Sequence, residues 1–228
     1  MACNSNGITS GFFISACGAF FVSRQEVWQE LRGVDGQNRL MHTLFSFRRC
    51  PYAMRARLAL RLANIEVQIQ EIELRNRPPE LYAVSTKGTV PVLVLDDGTV
   101  IDESLEIVKW AMDVDEHDIG LVTECDGEFK NDLDRYKYST RYEDTDPVKS
   151  RSSGSKFLFK LNDILTKCAC LSGDRFGAAD ICIAPFVRQF RIADMQWFDE
   201  QPWSALNEWL QTYLESDDFK AIMVKEQS

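Results

Sequence analysis

Thr43-Leu44-Phe45-Ser46-Phe47-Arg48-Arg49-Cys50-Pro51-Tyr52-Ala53 is the stretch on which the reading of this chain turns. An apolar run of strand character ends at Phe47, and a helical pattern opens at Pro51 and continues through Leu58, Ala59 and Leu62. Proline suits the first helical position, where its missing N–H costs nothing. Cys50 therefore stands at the mouth of a helix just beyond a strand. The unpaired N–H groups and the helix dipole favour negative charge there. A thiol so placed is expected to ionise near neutral pH, and the thiolate is the nucleophilic form. Arg48 and Arg49 add positive charge in sequence. Ala53 occupies the place where a dithiol redox motif carries its second cysteine, so a thiol that resolves Cys50 must come from another molecule.

Outward from this point the signals alternate. Pro51–Ala63 reads as a helix with Met54, Leu58 and Leu62 on one stripe. Glu66–Leu74 reads as a strand and Pro78–Val84 as a short helix. Val90–Leu95 and Thr99–Ile101 flank Asp96-Asp97-Gly98 and read as a β-hairpin. Ser104–Met112 is helical, with Leu105, Val108 and Met112 aligned. The order βαβ then αββα predicts an α/β unit, a mixed sheet of about four strands with helices on its faces. From Asp118 onward only helices are expected. Phe157, Leu161, Ile164, Leu165 and Cys168 make one amphipathic stripe; Trp203, Leu206, Trp209, Leu210 and Tyr213 make another. Ala179–Ile192 is periodic but contains Pro185, which predicts a kink. Asp146-Pro147 and Ser150–Ser155 read as a loop between helices.

Charge supports the same division. Residues 41–112 hold nine Lys/Arg and nine Asp/Glu, whereas residues 113–228 hold 14 against 23, which accounts for the net −9 of the 228-residue chain. A boundary near Asp113 separates a unit at 41–113 from a helical unit at 118–228. The acidic balance argues against nucleic-acid partners. Seven cysteines at irregular spacing argue against a disulfide framework, and two histidines give little support to a metal site. Cys168-Ala169-Cys170 reads as ordinary helix positions. A reduced, cytoplasmic protein is expected. Gly11–Val22 is an apolar run of 12 residues, too short to span a bilayer, and residues 1–10 lack the basic charges of a secretory signal. Ile14-Ser15-Ala16-Cys17 is only faintly similar to a lipoprotein cleavage site. Residues 1–40 read as a non-essential extension ending just before the first strand.

Cys50-Pro51-Tyr52-Ala53, Gly88-Thr89-Val90-Pro91-Val92-Leu93 and Asp102-Glu103-Ser104, in this order and spacing, resemble the glutathione transferase family. So do Leu74-Arg75-Asn76-Arg77-Pro78 and Ala179-Asp180-Ile181. The start is similar to the omega class and to bacterial cysteine-type transferases, and also to transferase-shaped glutaredoxins, whose second cysteine is absent here. The resemblance covers roughly residues 41–220. It implies a thioredoxin-like domain followed by an all-helical domain, glutathione as co-substrate with no further cofactor or metal, and a homodimer. It further implies Cys50 as catalytic nucleophile and a cis bond before Pro91 that turns the Val90 backbone toward glutathione. Ser104 would cap a helix holding the γ-glutamyl carboxylate, Glu103 would take the α-amino group, and Arg77 would reach the glycine carboxylate. Asp180 is implied as a structural capping group. Two positions depart from the family. Ser85-Thr86 stands where Asn/Ser-Pro is common, and Gly177 stands where the core helix usually has a Ser or Thr cap.

The function implied is thiol transfer or reduction, as in a thiol transferase or dehydroascorbate reductase, acting on a small electrophile or disulfide. The rival reading is a non-catalytic binding or regulatory module of the same fold. No membrane association is expected. Tyr136, Tyr142, Trp197 and Trp203 are candidates for a substrate pocket, or for ordinary helix packing.

Overall fold

The computed structural model describes residues 41–143 and 145–225. The Gly11–Val22 run and the rest of the segment 1–40 lie outside the described residues. Strand β1 (His42–Ser46) leads into helix α1 (Pro51–Leu62), strand β2 (Val67–Glu71) and helix α2 (Pro79–Val84). Strands β3 (Val92–Val94) and β4 (Val100–Ile101) form the hairpin, and helix α3 (Ser104–Ala111) closes the first unit. The sheet order is β2-β1-β3-β4. β1 runs parallel to β2, with Leu44 opposite Ile69, and antiparallel to β3, with Leu44 opposite Leu93. The expected mixed four-stranded sheet is present. β1 is central and is buried from Thr43 to Ser46. β2 lies at an edge and is partly exposed.

The helical unit holds α4 (Glu116–Glu124), a π-helical turn at Cys125–Phe129, α5 (Lys130–Lys137) and a 3₁₀ turn at Ser139–Arg141. α6 (Pro147–Leu165), α7 (Ala178–Ala193), α8 (Met195–Asp199), α9 (Ser204–Glu215) and α10 (Asp217–Ile222) follow. Ser150–Ser155 is not a loop; it lies inside α6. The reason is a strong start signal that outweighs the serines. The Asp146 carboxylate accepts from Val148 N at 2.9 Å and Lys149 N at 3.2 Å, and Pro147 takes the first turn. Ser155 Oγ is satisfied within the helix by the Arg151 carbonyl at 2.7 Å. Cys168 and Cys170 are not helical: α6 ends at Leu165, and Cys168 lies exposed in the turn beyond it. The helix of Ala178–Ala193 continues through Pro185. The five described cysteines are unpaired.

α1 shows how the two units join. The single stripe expected from sequence is only part of its buried surface. Ala56 and Leu60 pack on the sheet with Leu44 and Leu93. Met54, Leu58 and Ala59 belong to the core of the helical unit, beside Ile183, Phe186 and Val187. A helix clamped on two sides is apolar nearly all round. Its one fully buried charge, Arg55, was not singled out by sequence pattern. Arg55 Nε donates to the Cys182 carbonyl at 2.7 Å, and its two terminal nitrogens donate to Asp126 at 2.8 and 2.6 Å. The guanidinium also stacks over Phe186 at 4.5 Å and Tyr52 at 5.1 Å. These contacts fix the helix that begins at Cys50 against the helical unit.

Candidate active site

Cys50 is the N-cap of α1, with extended backbone and Pro51 immediately following. Its Sγ lies 3.8 Å from the Val90 carbonyl oxygen. The Val90–Pro91 peptide is cis. The thiol and the Val90–Pro91 loop, 40 residues apart in sequence, are thus side by side. The charge expectation needs correction. Burial raises the Cys50 thiol above its ordinary value of 9.0, against the opposing pull of the Ala53 and Tyr52 N–H groups and of Lys130 and Arg55. The neighbouring arginines are engaged elsewhere. Arg48 Nη1 donates to the Met223 carbonyl at 3.0 Å, and Arg49 is exposed, over the Phe47 ring at 5.4 Å. The cations that act on the sulfur come from later in the chain.

Behind Val90, the loop depends on Gly88. Its φ is +59°, and a Cβ there would lie 2.4 Å from the Tyr82 ring. Next to it, Lys87 Nζ lies 2.5 Å from Glu103 and 3.1 Å from Asp102. Ser85 Oγ donates to Asp102 at 2.9 Å. This bond, opposed by partial burial and aided by Lys87, holds the Asp102 carboxyl below its ordinary range. Ser85 thus holds Asp102, the neighbour of Glu103, in place. Glu103, not Ser104, is the N-cap residue of α3; Ser104 is the first helical residue and is buried. Arg77 is exposed just before Pro78, and no hydrogen bond or ion pair joins it to another described residue. Cys50, Val90, Pro91, Glu103 and Ser104 thus flank one loop system, while Arg77 stands apart on an exposed turn.

Asp180 is fully buried and accepts four bonds: Leu171 N at 2.8 Å, Ser172 N at 3.1 Å, Gly177 N at 3.0 Å and Trp209 Nε1 at 2.7 Å. Those partners make it a structural staple between a loop and two helices. The cap missing at Gly177 is supplied from elsewhere. Ser172 Oγ accepts the Ala179 N–H at 3.0 Å and donates to Asp118 at 2.7 Å. A Cβ on Gly177 would lie 2.6 Å from the Ser172 Cβ and 2.7 Å from its hydroxyl. Ser172 fills the space that a local cap would need.

A cavity of about 190 Å³ opens at the head of α1, lined by Arg49, Pro51 and Tyr52, the sequence neighbours of Cys50 but not Cys50 itself, and by residues of α5 and α7. Trp203 and Trp197 do not line it. Trp203 is buried, its Nε1 donates to the Phe198 carbonyl at 3.0 Å, and Trp197 packs edge-on against it at 5.7 Å. Tyr136 packs on Phe190 at 5.0 Å, and Tyr142 is exposed. Ordinary helix packing accounts for the tryptophans and for Tyr136. The tyrosines at the cavity are Tyr52 and Tyr138. Among the described residues no cluster of three or more His, Cys, Asp or Glu could hold a metal ion, and no helix is long and apolar enough to cross a membrane.

A thioredoxin-like sheet with a cis-proline loop beside a helix-capping cysteine, joined to a helical bundle, defines the two-domain transferase architecture. Comparison with known proteins narrows this to a family. Residues 49–114 match the glutathione S-transferase N-terminal domain, and residues 160–212 match the glutathione S-transferase C-terminal domain. Glutathione S-transferase 2 of Saccharomyces cerevisiae is 38% identical over 65 residues, 26% of this chain and 28% of the relative. Glutathione S-transferase omega-2 of Homo sapiens is 37% identical over 70 residues, 31% of this chain and 29% of the relative. The matched segments thus span under a third of these relatives. A glutathione transferase family member from Pseudomonas fluorescens pf-5, solved with two glutathione bound, superposes with a TM-score of 0.73 at 15% identity, over 86% of this chain and 97% of that one. The chain belongs to the glutathione S-transferase family.

Proposed function

We propose that this family member is a cysteine-type enzyme that carries out glutathione-dependent thiol transfer or reduction. The observation that carries the reading is the Cys50 sulfur at the head of α1, 3.8 Å from the carbonyl of Val90, with alanine at position 53. Val90 pairs with the extended backbone of glutathione, as a short added strand would. The γ-glutamyl carboxylate meets the N-terminus of α3 at Ser104. The α-amino group takes Glu103 and displaces Lys87. Arg77 closes on the glycine carboxylate. Glutathione is a co-substrate, and no resident cofactor or metal enters the scheme. A cytoplasmic homodimer, acting on a small electrophile or disulfide, completes the proposal.

In this scheme the Cys50 thiolate attacks the glutathionyl sulfur of a mixed disulfide. The S–S bond breaks, and the other thiolate leaves with the bonding pair and is protonated by water. A second glutathione thiolate then attacks glutathionyl-Cys50, releasing oxidised glutathione and restoring Cys50. Conjugation of electrophiles is weak, because a cysteine here forms a disulfide with glutathione instead of stabilising its thiolate. Cys50→Ala is expected to abolish hydroxyethyl-disulfide turnover while the thermal transition is kept. Mass spectrometry after exposure to oxidised glutathione should find a single glutathione on Cys50. Modification confined to Cys168 or Cys170, the other cysteines open to solvent among the described residues, would overturn the assignment.

A further inference from the structure

The cavity at the head of α1, lined by the sequence neighbours of Cys50, carries an unusual charge for its setting. The helical unit supplies all of the chain's net −9, yet the cavity is bordered by Arg49, Lys130 and Lys137 against one acid, Asp134. Lys130 pairs with Asp134, four residues on along α5. Arg49 has no acidic partner among the described residues; Lys137 reaches the neutral side-chain oxygen of Gln189. Two cations therefore face this space without a paired carboxylate. Lys137 is partly buried, and burial together with Arg188 nearby pushes its ammonium below the ordinary value, against the opposing pull of Asp134. A cation held under those conditions gains from an anionic ligand. Lys130 also acts electrostatically on Cys50, so the basic cluster and the thiol belong to one neighbourhood.

We propose that this cavity selects the second substrate by charge, taking the carboxylate-bearing half of a glutathione mixed disulfide. The inference rests on the thiol-transfer reading and adds the substrate class to it. The glutathionyl half lies along Val90 and Glu103, and its sulfur becomes bonded to Cys50. The disulfide bond breaks, and the carboxylate-bearing thiolate departs with the electron pair into the cavity between Arg49 and Lys137, to be protonated by water. The second glutathione then removes the glutathionyl group from Cys50 as oxidised glutathione.

Three preformed mixed disulfides of glutathione test this: with 3-mercaptopropionate, with mercaptoethanol and with cysteamine, giving an anionic, a neutral and a cationic second half. The readout is the ratio of kcat/KM for the anionic over the cationic substrate, compared between the wild type and Lys137→Met or Arg49→Met. Leaving-group chemistry is common to all three proteins and cancels in the comparison. One unit charge about 4 Å away at water-like dielectric corresponds to about fivefold, so each variant should lower the ratio by about five- to twentyfold. Added salt should lower it in the wild type as well. A ratio that neither variant changes overturns the inference. Binding of the unreactive thioethers S-(2-carboxyethyl)glutathione and S-(2-aminoethyl)glutathione by calorimetry separates the two levels. If no disulfide is turned over but the carboxyethyl thioether binds more tightly in a Lys137-dependent way, the redox reading fails and the charge selection stands. Equal thioether affinities overturn the charge selection.

Discussion

Removing either half of the Arg55–Asp126 pair should destabilise the protein, and by unequal amounts. The Arg55 side chain is 0% exposed and that of Asp126 is 31% exposed. Asp126→Ala strands a guanidinium that water cannot reach and whose remaining hydrogen bond is to the Cys182 carbonyl at 2.7 Å. Breaking a buried pair from the side that leaves the inaccessible charge belongs at the upper end of the usual range, about 4–5 kcal/mol. Arg55→Met leaves a carboxylate that can turn toward solvent, and methionine fills much of the arginine stem's volume. Its cost is the charged hydrogen bonds less that recovery, about 2–3 kcal/mol. The double variant loses both charges together, so it should cost no more than Asp126→Ala alone, with a coupling of about 2–3 kcal/mol. Urea unfolding at neutral pH, followed by tryptophan fluorescence, measures all three. Equal costs for the two single variants, or strict additivity in the double, would refute the reasoning that the buried guanidinium is the expensive partner.

Two further outcomes follow from the site. Because burial holds the Cys50 thiol above 9.0, the thiolate fraction of the free protein should grow steadily with pH: the Cys50-specific iodoacetamide rate should climb about tenfold per unit from pH 7 to 9, and a plateau below pH 8 would contradict it. Because Lys87 already occupies Glu103 and Asp102, Lys87→Met should tighten glutathione binding by about 1.5- to 5-fold, the range typical of losing an exposed ion pair; weaker binding would mean that the lysine holds the ligand instead of competing with it.

The parts of the molecule that were legible in the sequence are those whose physics is local. A strand followed by Cys50-Pro51 sets the start of α1, and Asp-Gly sets the hairpin. The misreadings came from composition outweighing position. Four serines suggested a loop at Ser150–Ser155, although Asp146-Pro147 is a helix start of the usual kind. Continuing the Phe157 stripe to Cys168 overran the end of α6 by three residues. What was not legible depends on partners distant in the chain. Arg55 meets Asp126 and Cys182, 71 and 127 residues away, and Lys137 meets Gln189, 52 residues away. The acidity of Cys50 failed for a related reason. The helix-start effect is local and was read correctly, but the burial that outweighs it comes from the assembled core.

The arrangement at the head of α7 bears on how such a chain can change over generations. The helix can be capped from position 177 or from position 172, but both hydroxyls cannot fit the same space. If a serine arrives at 177 first, it collides with Ser172. If Ser172 is lost first, the Ala179 N–H loses its acceptor and Asp118 loses a donor. Either single step destabilises the head of the helix, so the two positions are coupled. Glycine at 177 is therefore neither a defect nor a neutral drift. It is half of a two-residue commitment, and its worth can be judged only together with the serine five positions before it.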